Sequence, residues 1–293
     1  MERKIIINAD DFGLCDGVNR AVVQAHTQGV LTSTTIMANM PAARQAVELA
    51  KQLPTLGVGV HLNLFEGKPI SKDPCVDCLL NTYGEFTYSP CHLSFLSVIN
   101  RKIRSAIATE LAAQIQWAVD NGIKPTHLDS HKHIHSFPAI YPIVCELAKS
   151  FKIAAIRWPF EPKQVCQKPS SARRMAGWPP PSKGGKKRAA IVRTMAIINR
   201  KQNPIFLKTQ AVLGIAHTGK IDIDFLKTAA LQDFAEAVEI ITHPGFIDGL
   251  DKIKTRLIHE RKMELDALCD KITRQYFKDA AVKLVHYGQL PTE

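Results

Sequence analysis

Three strand-length runs of apolar and β-branched residues alternate with two helix-length segments in the first 65 residues, and this alternation restricts the fold more than any other feature of the chain. Lys4 to Ala9 (KIIINA) suits a strand buried on both faces, and it runs into Asp10-Asp11-Phe12-Gly13. Asp16 stands where a helix N-cap belongs, ahead of a helix over Gly17–Thr27 that closes at Gly29. Val30 to Ala38 (VLTSTTIMA) is the second strand-like run. Pro41 then opens a helix over Ala42–Gln52, which stops before Pro54. Leu56 to Leu64 (LGVGVHLNL) is the third strand, with His61 near its carboxyl end. The order β-α-β-α-β is the signature of parallel strands joined by crossover helices.

The rest of the chain continues the pattern less regularly. Helices are expected over Arg104–Asn121, near Pro138–Ser150, over Arg188–Arg200, near Asp224–Leu231 with Asp222 as cap, and over Lys254–Lys271. Strands are expected over Thr126–Ser130, Ile153–Arg157, Ala211–Ile215, Glu239–Thr242 and Val282–His286. Residues 66–100 and 163–201 read as irregular insertions. The expectation is a single α/β domain over residues 1–293, a TIM-like (β/α) barrel that is irregular or incomplete. A doubly wound open sheet is the competing topology.

Composition removes several classes. No run of about eighteen apolar residues exists, so no membrane span is expected. The start, MERKIIINADDFG, has too short an apolar run for a secretory leader, and seven cysteines form an odd set that suits reduced thiols. The expected location is therefore cytoplasmic. Cys75-x-x-Cys78, with Cys91 and His92 beyond, could form a zinc knuckle, but no second C-x-x-C completes it. The net charge of +11 is local, because residues 163–201 hold eleven Lys and Arg and no Asp or Glu. The other 27 basic residues balance the 27 acidic ones, so the chain does not read as a nucleic-acid binder. The basic segment reads as a solvated loop, a lid, or a patch for an acidic partner.

Thr126 to His135 (THLDSHKHIH) concentrates four of the chain's eleven histidines in ten residues. In an extended strand, His127, Asp129 and His131 would share one face. One carboxylate and two imidazoles make a facial ligand set that leaves positions open, and Asp11, His61 and His131 would supply it from three separate strands. A metal held there raises the acidity of water and polarises a carbonyl. Asp10, a carboxylate left unligated, suits a general base. His243, before Pro244-Gly245, suits the acid that protonates a leaving group, and Arg157 could hold the base carboxylate. The plainer readings are a helix cap for Asp10-Asp11, a core histidine for His61 and turn chemistry for His243. Neither a P-loop nor a serine nucleophile elbow is present, and Gly57-x-Gly59 lacks the third glycine of a dinucleotide site.

Taken in order, Asn8-Ala9-Asp10-Asp11-Phe12-Gly13, Val30-Leu31-Thr32-Ser33-Thr34-Thr35, Gly59-Val60-His61-Leu62, the histidine cluster and His243-Pro244-Gly245 resemble the YdjC-like carbohydrate deacetylases. Chitooligosaccharide deacetylases belong to that family. The resemblance runs from Lys4 to Tyr287 and is weak over 66–100 and 163–210. It implies a TIM-like barrel, a divalent metal commonly taken as Mg²⁺, and removal of an acetyl group from an N-acetylated sugar such as N-acetylglucosamine units. Its metal histidines match His61 and His131, and its first-strand aspartates match Asp10 and Asp11. The logic of the more distant polysaccharide deacetylases makes Asp10 the base and Asp11 the ligand, with the reverse split open. Arg157-x-Pro159 resembles their base-orienting arginine. His127, Asp129 and His133, with His135, are candidates for supporting the ligands or touching substrate. Two histidines suit Zn²⁺ or another transition metal better than Mg²⁺, so both stay open. The rivals are a metal-dependent hydrolase of another ester or phosphate, and a non-catalytic carbohydrate- or partner-binding protein. A homodimer is carried as an expectation with no residue pattern behind it.

Overall fold

The structure is a computed structural model that describes residues 2–166, 178–202, 206, 208–250, 253 and 255–291. Its strands are β1 (Lys4–Phe12), β2 (Ser33–Ile36), β3 (Gly57–Leu62), β4 (Leu128–Ser130), β5 (Ala211–Leu213), β6 (Val238–Thr242) and β7 (Lys283–Leu284). They pair in parallel in the order β4-β3-β2-β1-β6-β5, with β7 joined to the start of β1. The helices are α1 (Asp16–Thr27), α2 (Ala43–Lys51), α3 (Pro90–Ile99), α4 (Arg101–Asp120), α5 (Tyr141–Ser150), α6 (Gly185–Gln202), α7 (Ile223–Leu231), α8 (His259–Cys269) and α9 (Lys271–Asp279). The sheet curls into a half-barrel with helices around it, which settles the topology in favour of an irregular barrel.

The alternation of β1 explains which side chains enter the ring. Ile5 and Ile7 pack outward among Val18, Val22 and Leu268, whereas Ile6 packs inward with Ala155, Ala237, Val285 and Tyr287. Each buried isoleucine contributes on the order of 1.5–3 kcal/mol, so the register of β1 is strongly fixed. Asn8 and Asp10 follow Ile6 into the interior.

The expected strand over Ile153–Arg157 forms only an isolated bridge between Leu128 and Ile156. Among the described residues, single backbone hydrogen bonds are all that span the gap between β4 and β5. Arg157 donates to Leu128 O at 2.9 Å, Ile156 to Phe206 O at 2.9 Å, and Val212 to Phe160 O at 2.9 Å. Pro159 has no N–H with which to extend a ladder there.

Three further expectations need correction. Residues 66–100 are not wholly irregular, since a 3₁₀ turn covers Pro74–Leu79 and α3 is capped by Ser89. Buried Glu110 of α4 ties this insertion down, accepting from the Ile70 and Ser71 N–H groups. Asp16 is the first residue of α1 and not its cap, and its carboxylate instead takes Arg20 and Gln45. The helix expected over Lys254–Lys271 is α8, and a second helix, α9, follows after the break at Asp270. The basic segment is partly α6, and its residues 167–177 lie outside the described residues.

Candidate active site

Adjacent residues on a strand point to opposite faces, so Asp10 and Asp11 cannot both enter the ring from a regular β1. A bulge solves this. Ala9 pairs with Thr34 and Phe12 with Ile36, so Asp10 and Asp11 together oppose Thr35 alone. Asp11 has φ +70°, a left-handed conformation that aspartate tolerates better than most side chains, and Gly13 follows at φ +97°. Asn19 of α1 fastens the turn by accepting from Gly13 N–H at 2.7 Å and donating to Ala42 O. Both carboxylates end up buried.

His61 and Asp129 are register partners across β3 and β4, and His61 Nδ1 lies 2.8 Å from Asp129 Oδ1. A carboxylate only accepts, so Nδ1 carries the hydrogen and Nε2 of the neutral ring keeps its lone pair. That Nε2 is 3.5 Å from Asp11 Oδ1. Thr35 Oγ1 donates to the other oxygen of Asp129. The strand alternation of the histidine cluster ends after β4, because Lys132 and His133 both have φ +56° in a 3₁₀ turn. His131 therefore reaches the site from the turn, with Nδ1 3.4 Å from Asp11 Oδ1 and Nε2 3.6 Å from Glu66 Oε1.

Asp11, His61 and His131 thus offer one carboxylate oxygen and two ring nitrogens within 4.8 Å of one another. Asp11 Oδ1 is buried without a hydrogen-bond partner, while Oδ2 is bound by Arg261 at 2.6 Å. An oxygen left bare between two imidazoles fits a divalent cation. A second grouping, Asp10, His61 and Asp129, has the same spacing, but Arg157 already occupies both carboxylates.

Arg157 is fully buried and binds three carboxylates. It donates to Asp10 at 2.7 and 3.0 Å, meets Asp129 at 2.7 Å, and donates to Glu239 at 2.6 to 3.0 Å. Tyr287 Oη donates to Glu239 at 2.6 Å and stacks on His127. Burial opposes the charge of Asp10, and the Arg157 guanidinium more than offsets it, holding the carboxyl well below its usual range. Burial likewise opposes His61 protonation, but Asp129 and Asp10 raise it to about 9. His243 Nε2 lies 3.8 Å from Asp10 Oδ2, and burial lowers that ring to about 4. That ring therefore rests neutral. Glu264 accepts from the His243 backbone N–H at 2.6 Å and faces its ring Nδ1 at 3.9 Å.

The other cluster residues divide. Asp129 orients His61, as above. His127 packs under the site against Gly59, where a Cβ would come within 2.6 Å of the imidazole. The His135 backbone N–H donates to Ser130 Oγ and its ring Nε2 faces the Arg157 carbonyl, so it props the strand end. His133 leaves Nδ1 buried and unpaired. Cys75 and Cys78 stay outside every metal-spaced grouping among the described residues, with sulfurs on Thr109 Oγ1 and Cys75 O. Sequence reasoning missed Arg261, Glu239, Glu264, Tyr287 and Glu66. Only Glu239 carried a signal, an acid inside the apolar run Val238-Glu239-Ile240-Ile241.

Residues 4–279 match the family model described as YdjC-like protein. The chain belongs to this family. A carbohydrate deacetylase of Brevibacillus brevis is 34% identical over 289 residues, covering 98% of this chain and 99% of the relative. A chitooligosaccharide deacetylase of Salmonella paratyphi B is 45% identical over 157 residues, 53% of this chain and 59% of the relative. Among solved structures, a protein of Enterococcus faecalis V583 described as a candidate cellobiose-phosphate cleavage protein superposes with TM-score 0.75 at 24% identity, covering 98% of each chain, and shares the fold.

Proposed function

We propose that this YdjC-like protein is a metal-dependent hydrolase that removes the acetyl group from an N-acetylated carbohydrate, with chitooligosaccharides as the first substrate class. The observation that carries the reading is the β1 bulge. It turns two neighbouring carboxylates into one interior, one toward two imidazoles and the other toward Arg157 and His243. The deacetylase names of the relatives support the same chemistry.

Asp11, His61 and His131 would hold a divalent ion, which supplies Lewis acidity by polarising a carbonyl oxygen and raising the acidity of nearby water. Asp129 fixes the His61 tautomer, and Arg261 binds Asp11 Oδ2, so Oδ1 is the oxygen that would serve a metal. Asp10, kept ionised by Arg157, accepts the proton of the attacking water. The 3.8 Å separation gives that proton a short path to the neutral His243 ring, which delivers it to the departing amine nitrogen. Water and the amide are consumed, and acetate and the free amine leave. Family habit favours Mg²⁺, while the nitrogen-rich donor set favours Zn²⁺ or a similar transition metal. We place the enzyme in the cytoplasm, a reading supported by the exposed free thiols of Cys75, Cys78 and Cys91.

The test is acetate release from N,N′-diacetylchitobiose and larger N-acetylated saccharides by protein loaded in turn with Mg²⁺, Zn²⁺ and Co²⁺. Release with at least one metal is expected. Metal bound in stoichiometric amount with no acetate from any saccharide would overturn the reading.

A further inference from the structure

The site uses the interior of the half-barrel and leaves α6 without a role. The inner side of α6 packs Ala189 and Val192 on Val212, Ile215 and Ile241. Asn199 donates to Ser136 O, and the Trp158 indole donates to Ala196 O, so α6 rests beside the turn that carries His131. Its outer side repeats at helical spacing as Lys187, Ile191, Thr194, Ile198 and Lys201, all exposed. Isoleucines thus hold the middle of the stripe and lysines its two ends. Lys186 and Ile197 lie beside it, and among the described residues none of these lysines has an acidic partner.

A second element repeats the composition independently. Helix α3 also packs against the His131–Ser136 turn, and it exposes Phe95, Val98 and Ile99. Arg101 and Lys102 follow directly, and no acidic residue occurs from Phe86 to Thr109. The six apolar side chains on the two helices are 40% to 62% exposed, too much for core contact and too grouped for scattered surface residues.

We propose that α6 and α3 dock the protein peripherally on an anionic lipid bilayer, beside the opening of the candidate active site. Cationic ends around an apolar centre match a surface with anionic headgroups over hydrocarbon. A polyanion such as a nucleic acid or acidic polysaccharide would satisfy the lysines but leave the isoleucines hydrated. A second copy is disfavoured because two such faces carry the same charge. Vesicle binding requires no turnover, so this inference stands or falls separately from the deacetylase reading.

The experiment is flotation of the full chain with vesicles of phosphatidylglycerol and phosphatidylcholine, against vesicles of phosphatidylcholine alone. Binding to the first only, reversed by salt, is expected. I191S/I198S should weaken it by about tenfold or more while leaving the far-UV spectrum unchanged. K186Q/K187Q/K201Q should weaken it similarly. If the isoleucine variant fails to fold, F95S/V98S decides the apolar contribution. Wild-type protein that does not float overturns the proposal. So does an apolar variant that floats as well as wild type, which would assign the face to polyanions. A dimer in solution that the isoleucine variant dissolves, without vesicle binding, would assign it to self-association and overturn the proposal too.

Discussion

Asp10 and Asp11 are neighbours with opposite surroundings, and that contrast can be tested one atom at a time. Asp11→Asn should lose metal binding and activity together, because the bare Oδ1 between His61 and His131 becomes half of a neutral amide. Asp10→Asn should bind metal normally by titration calorimetry yet lose about 10²–10⁴-fold in kcat, the usual worth of a general base. Normal turnover in Asp10→Asn would remove it from the proton path. Arg157→Lys is a harsher change than its charge conservation suggests. A lysine cannot reproduce the fork that reaches Asp10, Asp129 and Glu239 at once, so two carboxylates lose their partner in a dry interior. A loss of about 3–5 kcal/mol in unfolding free energy is expected from such a break, read by urea titration.

At the scale of elements, β3 and β4 bring the imidazole to its carboxylate, and they do so only because Gly59 has no side chain. Gly59→Ala should displace His127 and with it the register pair of His61 and Asp129, costing about 1–3 kcal/mol by overpacking. The measurable sign is a lower melting temperature together with weaker metal binding. Much of this level was legible in the sequence, because β-α-β-α-β alternation and apolar runs report burial directly. The Thr126–His135 cluster was legible only to Ser130. Beyond it, left-handed Lys132 and His133 break the period of two, and no residue type there announces positive φ. The seam at 155–160 was misjudged for a related reason, since an apolar run before a proline looks like a strand whether or not a partner extends it.

For the molecule as a whole, buried histidines set the acid limit of stability. His243 and His135 are lowered to about 4 and about 3, mainly by burial, while an unfolded chain protonates them near 6.5. The unfolded state then binds more protons between those values, so stability falls as pH drops from about 6.5 toward 4. His61, raised to about 9 in metal-free protein, acts oppositely. Its contribution is complete below 6.5 and is lost as pH rises through about 9. Chelator-treated protein should therefore have its highest melting temperature near neutral pH and decline on both sides. The remote partners in this balance, Arg261 and Glu264 on α8, were not legible at all. In the sequence they sit within a charged helix, indistinguishable from residues that face water.

The pairing of Arg157 and Arg261 has a consequence for electroneutrality. Those two guanidiniums face four carboxylates, Asp10, Asp129 and Glu239 on one and Asp11 on the other, which leaves two negative charges uncompensated when the histidines are neutral. A dication cancels that excess. In its absence the raised affinities of His61 and His131 for hydrogen ions work against it instead. The site is in this sense an ion exchanger, in which binding of M²⁺ releases hydrogen ions. Calorimetric titration in buffers of different ionisation enthalpy should register that release, and metal loading with no proton released would contradict it.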